Sequence, residues 1–281
     1  RDVYKRQKLI CLITPSVWFI GGKGLDTFRN NMLNDTHIRS IDHFITSQDI
    51  FKNVNLRGGV NFFVWDYEYD NTKKGLRVTN YKNKSIIDSS HRPYRIKDID
   101  IFISDNKAVK IIDKLFKFYK TIDLDFPSFS EIVSARNPFG LNTNLPDSQI
   151  FNDHFDGLKE PVKVFASRGR VGYIERKFIE KNVELIDQIK LITPFANNIG
   201  TNLQDDNLNS IIIQNGVVTE TYLLIGTRII RNFKEARNIQ KYLKAKFSRY
   251  LINLNKANQN GTRKTYNFVP LQDLSLIHIS E

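Results

Sequence analysis

Leu9-Ile10-Cys11-Leu12-Ile13-Thr14 (LICLIT) is a continuous apolar run that stops at Pro15, and such a run reads as a strand buried on both faces. After Pro15-Ser16-Val17-Trp18-Phe19 comes the loop Gly21-Gly22-Lys23-Gly24, and then Leu25, Phe28, Met32 and Leu33 recur at helical spacing. The segment therefore predicts strand, loop, helix. On its far side Ile38, Ile41, Phe44 and Ile45 predict a second strand, and Val60 to Tyr67 (VNFFVWDY) a third, rich in β-branched and aromatic residues. Three strands and a helix cannot enclose a core alone, so the pattern is that of the back part of a doubly wound α/β sheet.

Beyond a polar break at Asp70 to Gly75 the periodicity becomes irregular. Ala108, Ile111, Ile112, Leu115, Phe116 and Tyr119 predict a helix near 105–120, and Ser128 to Val133 a short one. Lys163 to Ala166, Gly172 to Ile174, Ile211 to Ile213 and Thr221 to Ile225 read as short strands between Gly, Asn and Pro loops. Phe233, Ala236, Ile239, Leu243, Phe247, Tyr250, Leu251 and Leu254 predict one long amphipathic helix, with Lys234, Arg237, Lys241, Lys244 and Arg249 among its other positions. The expected fold is thus an α/β sheet over residues 8–72 and an irregular α+β domain over 73–273. No internal repeat is visible.

The 281 residues are 41% hydrophobic, with 20 Phe and 11 Tyr, enough for a substantial core. Net charge is 42 − 30 = +12, and the excess is local. Gln7 to Gly75 is nearly neutral at 8 − 7 = +1, whereas Arg228 to Lys264 carries 11 Lys/Arg against Glu235 alone, 11 − 1 = +10. That segment predicts contact with a polyanion. The single Cys11 and the scattered His37, His43, His91, His154 and His278 exclude a disulfide scaffold and a zinc module. No apolar run approaches the roughly 18 residues of a membrane span, and Thr14-Pro15-Ser16 interrupts the one stretch that a secretory signal would need; a cytoplasmic protein is expected. Arg1 to Gln7 (RDVYKRQ) and Leu274 to Glu281 (LSLIHISE) resemble adapter-derived translations and are expected to lie outside the domains.

Two motifs bear on chemistry. A Walker A loop needs Gly at Val17 and Ser/Thr at Gly24, so Gly21 to Gly24 reads as a flexible turn. Asp147 with Glu175 and Lys177 fits the loose PD…ExK arrangement of Mg²⁺-dependent nucleases, in which two carboxylates hold the metal and a lysine stabilises charge on phosphate. The pattern is degenerate enough to arise by chance in a basic chain of this length, and the same residues read first as ordinary surface charges.

The order of several segments adds a resemblance. Leu12 to Phe19, Gly21 to Asp26, Phe28-Arg29, Gly58-Gly59-Val60 to Trp65-Asp66, Ser134 with Arg136 to Gly140, Thr219 to Tyr222 and Val269 to Asp273 resemble the post-catalytic half of adenine-specific DNA methyltransferases of restriction-modification systems. The likeness is greatest to the type IIG-like enzymes that join methylase and restriction functions in one polypeptide. It implies a Rossmann-like domain using S-adenosylmethionine, a target adenine flipped out of double-stranded DNA, a target-recognition domain, and a restriction endonuclease domain or subunit as companion. The family's Gly-rich cofactor motif and Asn/Asp-Pro-Pro-aromatic motif do not occur in the 281 residues. The catalytic residues are therefore expected upstream, with LICLIT as the fifth strand and the chain inactive by itself. The family stacks an aromatic on the flipped base; alternation along the third strand groups Asn61, Phe63 and Trp65 on one face, so Phe63 or Trp65 is the candidate. Trp18, in the loop leaving the first strand, is a candidate pocket wall. Arg136, Arg168 and Arg170 are candidates for DNA recognition, arginine being able to grip guanine bidentately, and Lys241, Lys244, Arg263 and Lys264 for phosphate contact. The competing expectations are the Mg²⁺ nuclease and a non-catalytic DNA-binding protein.

Overall fold

Alternating apolar residues build the first sheet, and its pairing determines where every loop emerges. The computed structural model describes residues 8–22, 24–56, 58–96, 98–197, 199, 208–227, 229–256 and 259–273. Lys23, Arg228, His278 and the two terminal stretches noted above lie outside them. The chain divides into two units, Arg1–Leu124 and Asp125–Glu281.

The first unit runs β1 (Leu9–Pro15), α1 (Asp26–Asn34), β2 (Ile38–Phe44), β3 (Val60–Asp66), α2 (Asn71–Lys74), β4 (Leu76–Lys82), β5 (Ser85–Arg92) and α3 (Asn106–Thr121). Its five strands are ordered β1-β3-β2-β4-β5. β3 is antiparallel to both β1 and β2, so those two strands point the same way with β3 between them, and α1 is the crossover that joins them. β4 runs parallel to β2, and β5 returns antiparallel through a two-residue turn at Asn83 and Lys84, both with positive φ. One face of this sheet carries Ile38, Ile41, Phe63, Leu76 and Val78, packed against Met32 and Leu33 of α1 and against Trp18, Phe19 and Phe102.

Two expectations change here. β1 is an edge strand bonded on one side only, and Leu9, Leu12 and Ile13 are 58, 49 and 47% exposed instead of buried on both faces. The division expected at 72/73 falls instead at 124/125, because β4 pairs along β2 from Arg77 to Tyr81 and draws the hairpin into the first sheet. β4 and β5 lie outside the expected strands, although in β4 Arg77, Thr79 and Tyr81 alternate with Leu76, Val78 and Asn80.

The second unit comprises β6 (Pro161–Phe165), β7 (Val171–Glu175), β8 (Lys190–Pro194), β9 (Ile211–Ile213), β10 (Gly216–Val218), β11 (Tyr222–Ile225), α4 (Phe233–Lys244) and α5 (Lys246–Leu254), with 3-10 turns between them. Its strands form two three-stranded sheets, β10-β6-β7 and β11-β8-β9, around a core that includes Phe139, Val164, Ile174, Ile186, Ile192 and Leu224. The predicted single helix is two. Ala245 is extended (φ −60, ψ 142) and ends α4 as it starts α5. At about 100° per residue, one straight helix would place the buried residues of α5 roughly 160° from those of α4. The break lets Ala236, Ile239 and Leu243 be buried together with Leu251 and Ile252. It also buries Arg249, which the sequence placed among the charged positions.

Two lysines are interior. Lys190 Nζ donates to the carbonyls of Leu185, Ile186 and Gln188 at 2.7, 2.8 and 2.9 Å. Lys256 Nζ donates to Asn197 O and Oδ1 at 2.5 and 2.8 Å and to Ile199 O at 3.3 Å. Burial lowers both ammonium groups to about 8.

Gly59 has φ +75, and a Cβ there would stand 1.9 Å from the carbonyl oxygen of Phe44. Gly59→Ala should therefore destabilise the first unit by about 3 kcal/mol or more, measured by urea unfolding, whereas Gly24→Ala, with φ +79 but open space around it, should cost about 1 kcal/mol. The lysines give a pH dependence. Their folded values lie below the unfolded 10.4 or so, so between about pH 8 and 10 the unfolded chain binds more protons and stability rises with pH. The rise should flatten in Lys190→Met/Lys256→Met; an equal rise in that variant would trace it to overall charge instead. Burial raises the Tyr266 hydroxyl, which turns the trend downward above about pH 10.

Candidate nucleic-acid interface

Glu220 follows β10 and organises the loop at 136–148. Its backbone N–H donates to Leu141 O at 2.8 Å. Its Oε1 accepts from Thr143 Oγ1 at 2.8 Å and from the Thr143 amide at 3.2 Å, and its Oε2 pairs with Arg136 at 3.1 Å. The Thr143 bonds, and then the Arg136 charge, hold this carboxyl below the ordinary glutamate range. The Arg136 guanidinium also lies 5.0 Å from the ring centre of Phe195.

Thr143 O accepts from Ser167 Oγ at 3.4 Å, which links that loop to the β6–β7 hairpin. The hairpin is closed by Ala166 N–H to Arg170 O at 2.8 Å and Arg170 N–H to Ser167 O at 3.2 Å. Arg170 folds back onto Phe151, 5.2 Å from its ring centre, and lies 3.7 Å from both Asp147 and Asp153. Arg168 occupies the left-handed region (φ 58, ψ 26) and is exposed. The three arginines singled out in the sequence therefore belong to one connected substructure. Thr143, Phe151, Asp153 and Phe195, which hold two of them, were missed because nothing local marks their role.

On α4, Lys234, Arg237, Lys241 and Lys244 are all exposed, and their spacing of three, four and three places them in one stripe opposite the buried Ala236, Ile239 and Leu243. Arg263 Nε donates to Ser130 O at 2.9 Å, and Lys264 is exposed beside it. Of the expected nuclease residues, Glu175 stands beside Lys177 and Asp147 beside Arg170. Among the described residues no group of three His, Cys, Asp or Glu could hold a metal ion; this concerns groups of three and not a pair of carboxylates.

In the first unit the aromatic candidates serve packing. Trp18 is 1% exposed, edge-on to Phe19 at 4.7 Å between ring centres and stacked on Phe102 at 6.0 Å. Phe63 is 6% exposed, in the same cluster. Trp65 donates its indole N–H to Asp35 at 3.0 Å and pairs across the sheet with Ile10 and Ile38. These partners stand at the amino ends of β1 and β2, whereas ligands of doubly wound sheets sit at the carboxyl ends. The carboxyl end of β1 holds Ser16, Gly58, Gly59 and Asn61. Asn61 Nδ2 donates to Thr14 O, Thr14 Oγ1 and Ser16 Oγ at 3.1, 3.0 and 3.2 Å, and Ser16 N–H donates to Gly59 O at 3.0 Å. In the loop that leaves the carboxyl end of β2, Phe51 is 39% exposed, an aromatic that strand alternation could not have found.

The profile of the Eco57I restriction-modification methylase family matches residues 2–51. Among solved structures, the type IIG restriction endonuclease BpuSI is similar at 9% identity with a TM-score of 0.36, over 96% of this chain and 41% of that one. The chain thus spans 41% of the length of that enzyme. No curated protein sequence matches it. No helix among the described residues is long and apolar enough to cross a membrane.

Since Phe63 is interior, Phe63→Ala should cost about 3–5 kcal/mol in urea unfolding, the cost of an aromatic-sized cavity. A loss below about 1 kcal/mol would put the ring outside the core.

Proposed function

We propose that this chain is the DNA-reading part of an adenine-specific N6 DNA methyltransferase of a restriction-modification system, its first unit closing a Rossmann-like catalytic sheet and its second unit recognising the target. The observation that carries the DNA-binding half is the cationic stripe of α4, four exposed basic residues in register within a segment whose charge is 11 − 1 = +10. An exposed helix face of mixed sign would need no partner; one of a single sign repels itself and is relieved by phosphate. Arg263 and Lys264 extend the positive surface of the second unit.

The methyltransferase half is supported by the family match over residues 2–51 and by the β1-α1-β2 crossover with the antiparallel β3 set between its strands. S-adenosylmethionine would supply the methyl group. The residues present do not form its site: the polar groups at the carboxyl end of β1 are bonded to one another, and neither the Gly-rich nor the Pro-Pro motif occurs in the chain. No step of methyl transfer is assigned to them. What the first unit offers a flipped adenine is Phe51, on the ligand-side loop with part of its ring exposed. A restriction endonuclease partner and a cytoplasmic location follow from the same reading.

The test is duplex binding by the whole chain at several salt concentrations. Lys241→Glu/Lys244→Glu should weaken binding to all sequences alike and reduce the dependence of log K on log salt by about 0.9 for each phosphate that is no longer neutralised. An unchanged slope would leave the α4 stripe merely solvated.

A further inference from the structure

We infer that Arg168, at the tip of the β6–β7 hairpin, is the arginine that reads a guanine, and that Arg136 and Arg170 position the surfaces beside it; the inference rests on the DNA-recognition reading above. Bidentate contact with guanine O6 and N7 needs a guanidinium whose two parallel N–H donors are free and which can advance beyond the protein surface. Arg136 meets neither condition, being paired with Glu220 and laid on Phe195. Arg170 is flanked by Asp147 and Asp153 and laid on Phe151. Neither could reach a base without abandoning a carboxylate and an aromatic face.

Arg168 has no hydrogen-bond, ion-pair or ring partner among the described residues, and it is exposed. Its left-handed backbone is uncommon outside glycine and is held by the two hydrogen bonds that close the hairpin and by the Ser167 link to Thr143. Around Gly169, the next residue, nothing stands within 4 Å of where a Cβ would be, so the tip projects from the body of the unit. β6 is also bonded to β10 up to Phe165, so the support is a three-stranded sheet, and the unpaired arginine stands at a turn braced on both sides of it, where the tip alone has to reach base edges. The carboxylates Asp147 and Asp153 contribute a second discrimination: pairing with Arg170, they stand beside the tip and disfavour phosphate there, which suits a residue that meets base edges.

Selection from a randomised duplex library by the whole chain tests this. The wild type is expected to enrich a motif containing at least one G·C pair. Arg168→Gly, which relieves the positive φ and so leaves folding intact, should lose preference at one G·C position by roughly 5- to 150-fold with the rest of the motif kept. Arg168→Lys should hold overall affinity yet lose that preference, because an ammonium lacks the planar fork. Arg136→Ala and Arg170→Ala should bind more weakly while selecting the same motif. An Arg168→Gly motif identical to that of the wild type would overturn the inference, as would loss of one position in Arg136→Ala or Arg170→Ala alone. A wild-type chain that binds duplexes but enriches no motif would instead remove the site-specific reading on which it rests.

Discussion

The placement of β3 between two strands that run the same way is the constraint from which the first unit follows. A strand hydrogen-bonded on both sides cannot shift its register without disrupting both ladders, so β1 and β2 are held in parallel alignment by a third strand that opposes each. That arrangement brings the start of β3 to the carboxyl ends of β1 and β2. The chain has to enter there through a gap too narrow for any side chain, which is why Gly59 stands against the carbonyl of Phe44. His43 closes the same corner. It is buried, with its ring nitrogens 2.9 Å from Gly58 O and 3.1 Å from Asn80 Oδ1, and burial holds its imidazole below the ordinary histidine range.

In the second unit, what decides whether a basic side chain can meet an outside partner is how its donors are already used within the fold. A paired guanidinium is a brace, worth little as an exposed ion pair but effective in fixing a loop when an aromatic face supports it. Arg136 and Arg170 are used in this way, and so are the interior Lys190 and Lys256, whose donors are taken up by carbonyls. Among the described residues the α4 stripe, the hairpin tip and Arg263 with Lys264 are exposed to solvent. Net charge alone cannot separate the two kinds of basic residue, because a buried lysine and a phosphate-binding one count alike.

Much of the secondary structure was legible. The strand at 38–44 and the helix at 106–121 agree with their periodicity, which records burial against a neighbour, and the strand at 60–66 agrees with its β-branched and aromatic content. The two-residue turn at Asn83 and Lys84 was missed because neither residue is glycine, and β1 was misjudged because an apolar run looks the same at an edge as in the middle of a sheet. The helix at 233–254 shows the other limit. Its apolar positions admit a continuous helix, and the break at Ala245 appears only when both halves have to reach one core.

The sequence by itself determined the class of elements, the lack of any cysteine pair within these residues, and the concentration of positive charge between Arg228 and Lys264, since these depend on residue type and spacing along the chain. The tertiary structure alone decided that Trp18 and Phe63 are interior, that Trp65 stands at the amino ends of β1 and β2, that Asp147 and Glu175 stand beside Arg170 and Lys177, and that Arg168 differs from Arg136 and Arg170. The physical reason is the same in each case. Whether a side chain is free to act depends on what lies within a few ångströms of it, and those neighbours, Glu220 for Arg136 or Asp153 for Arg170, come from parts of the chain that no local pattern connects.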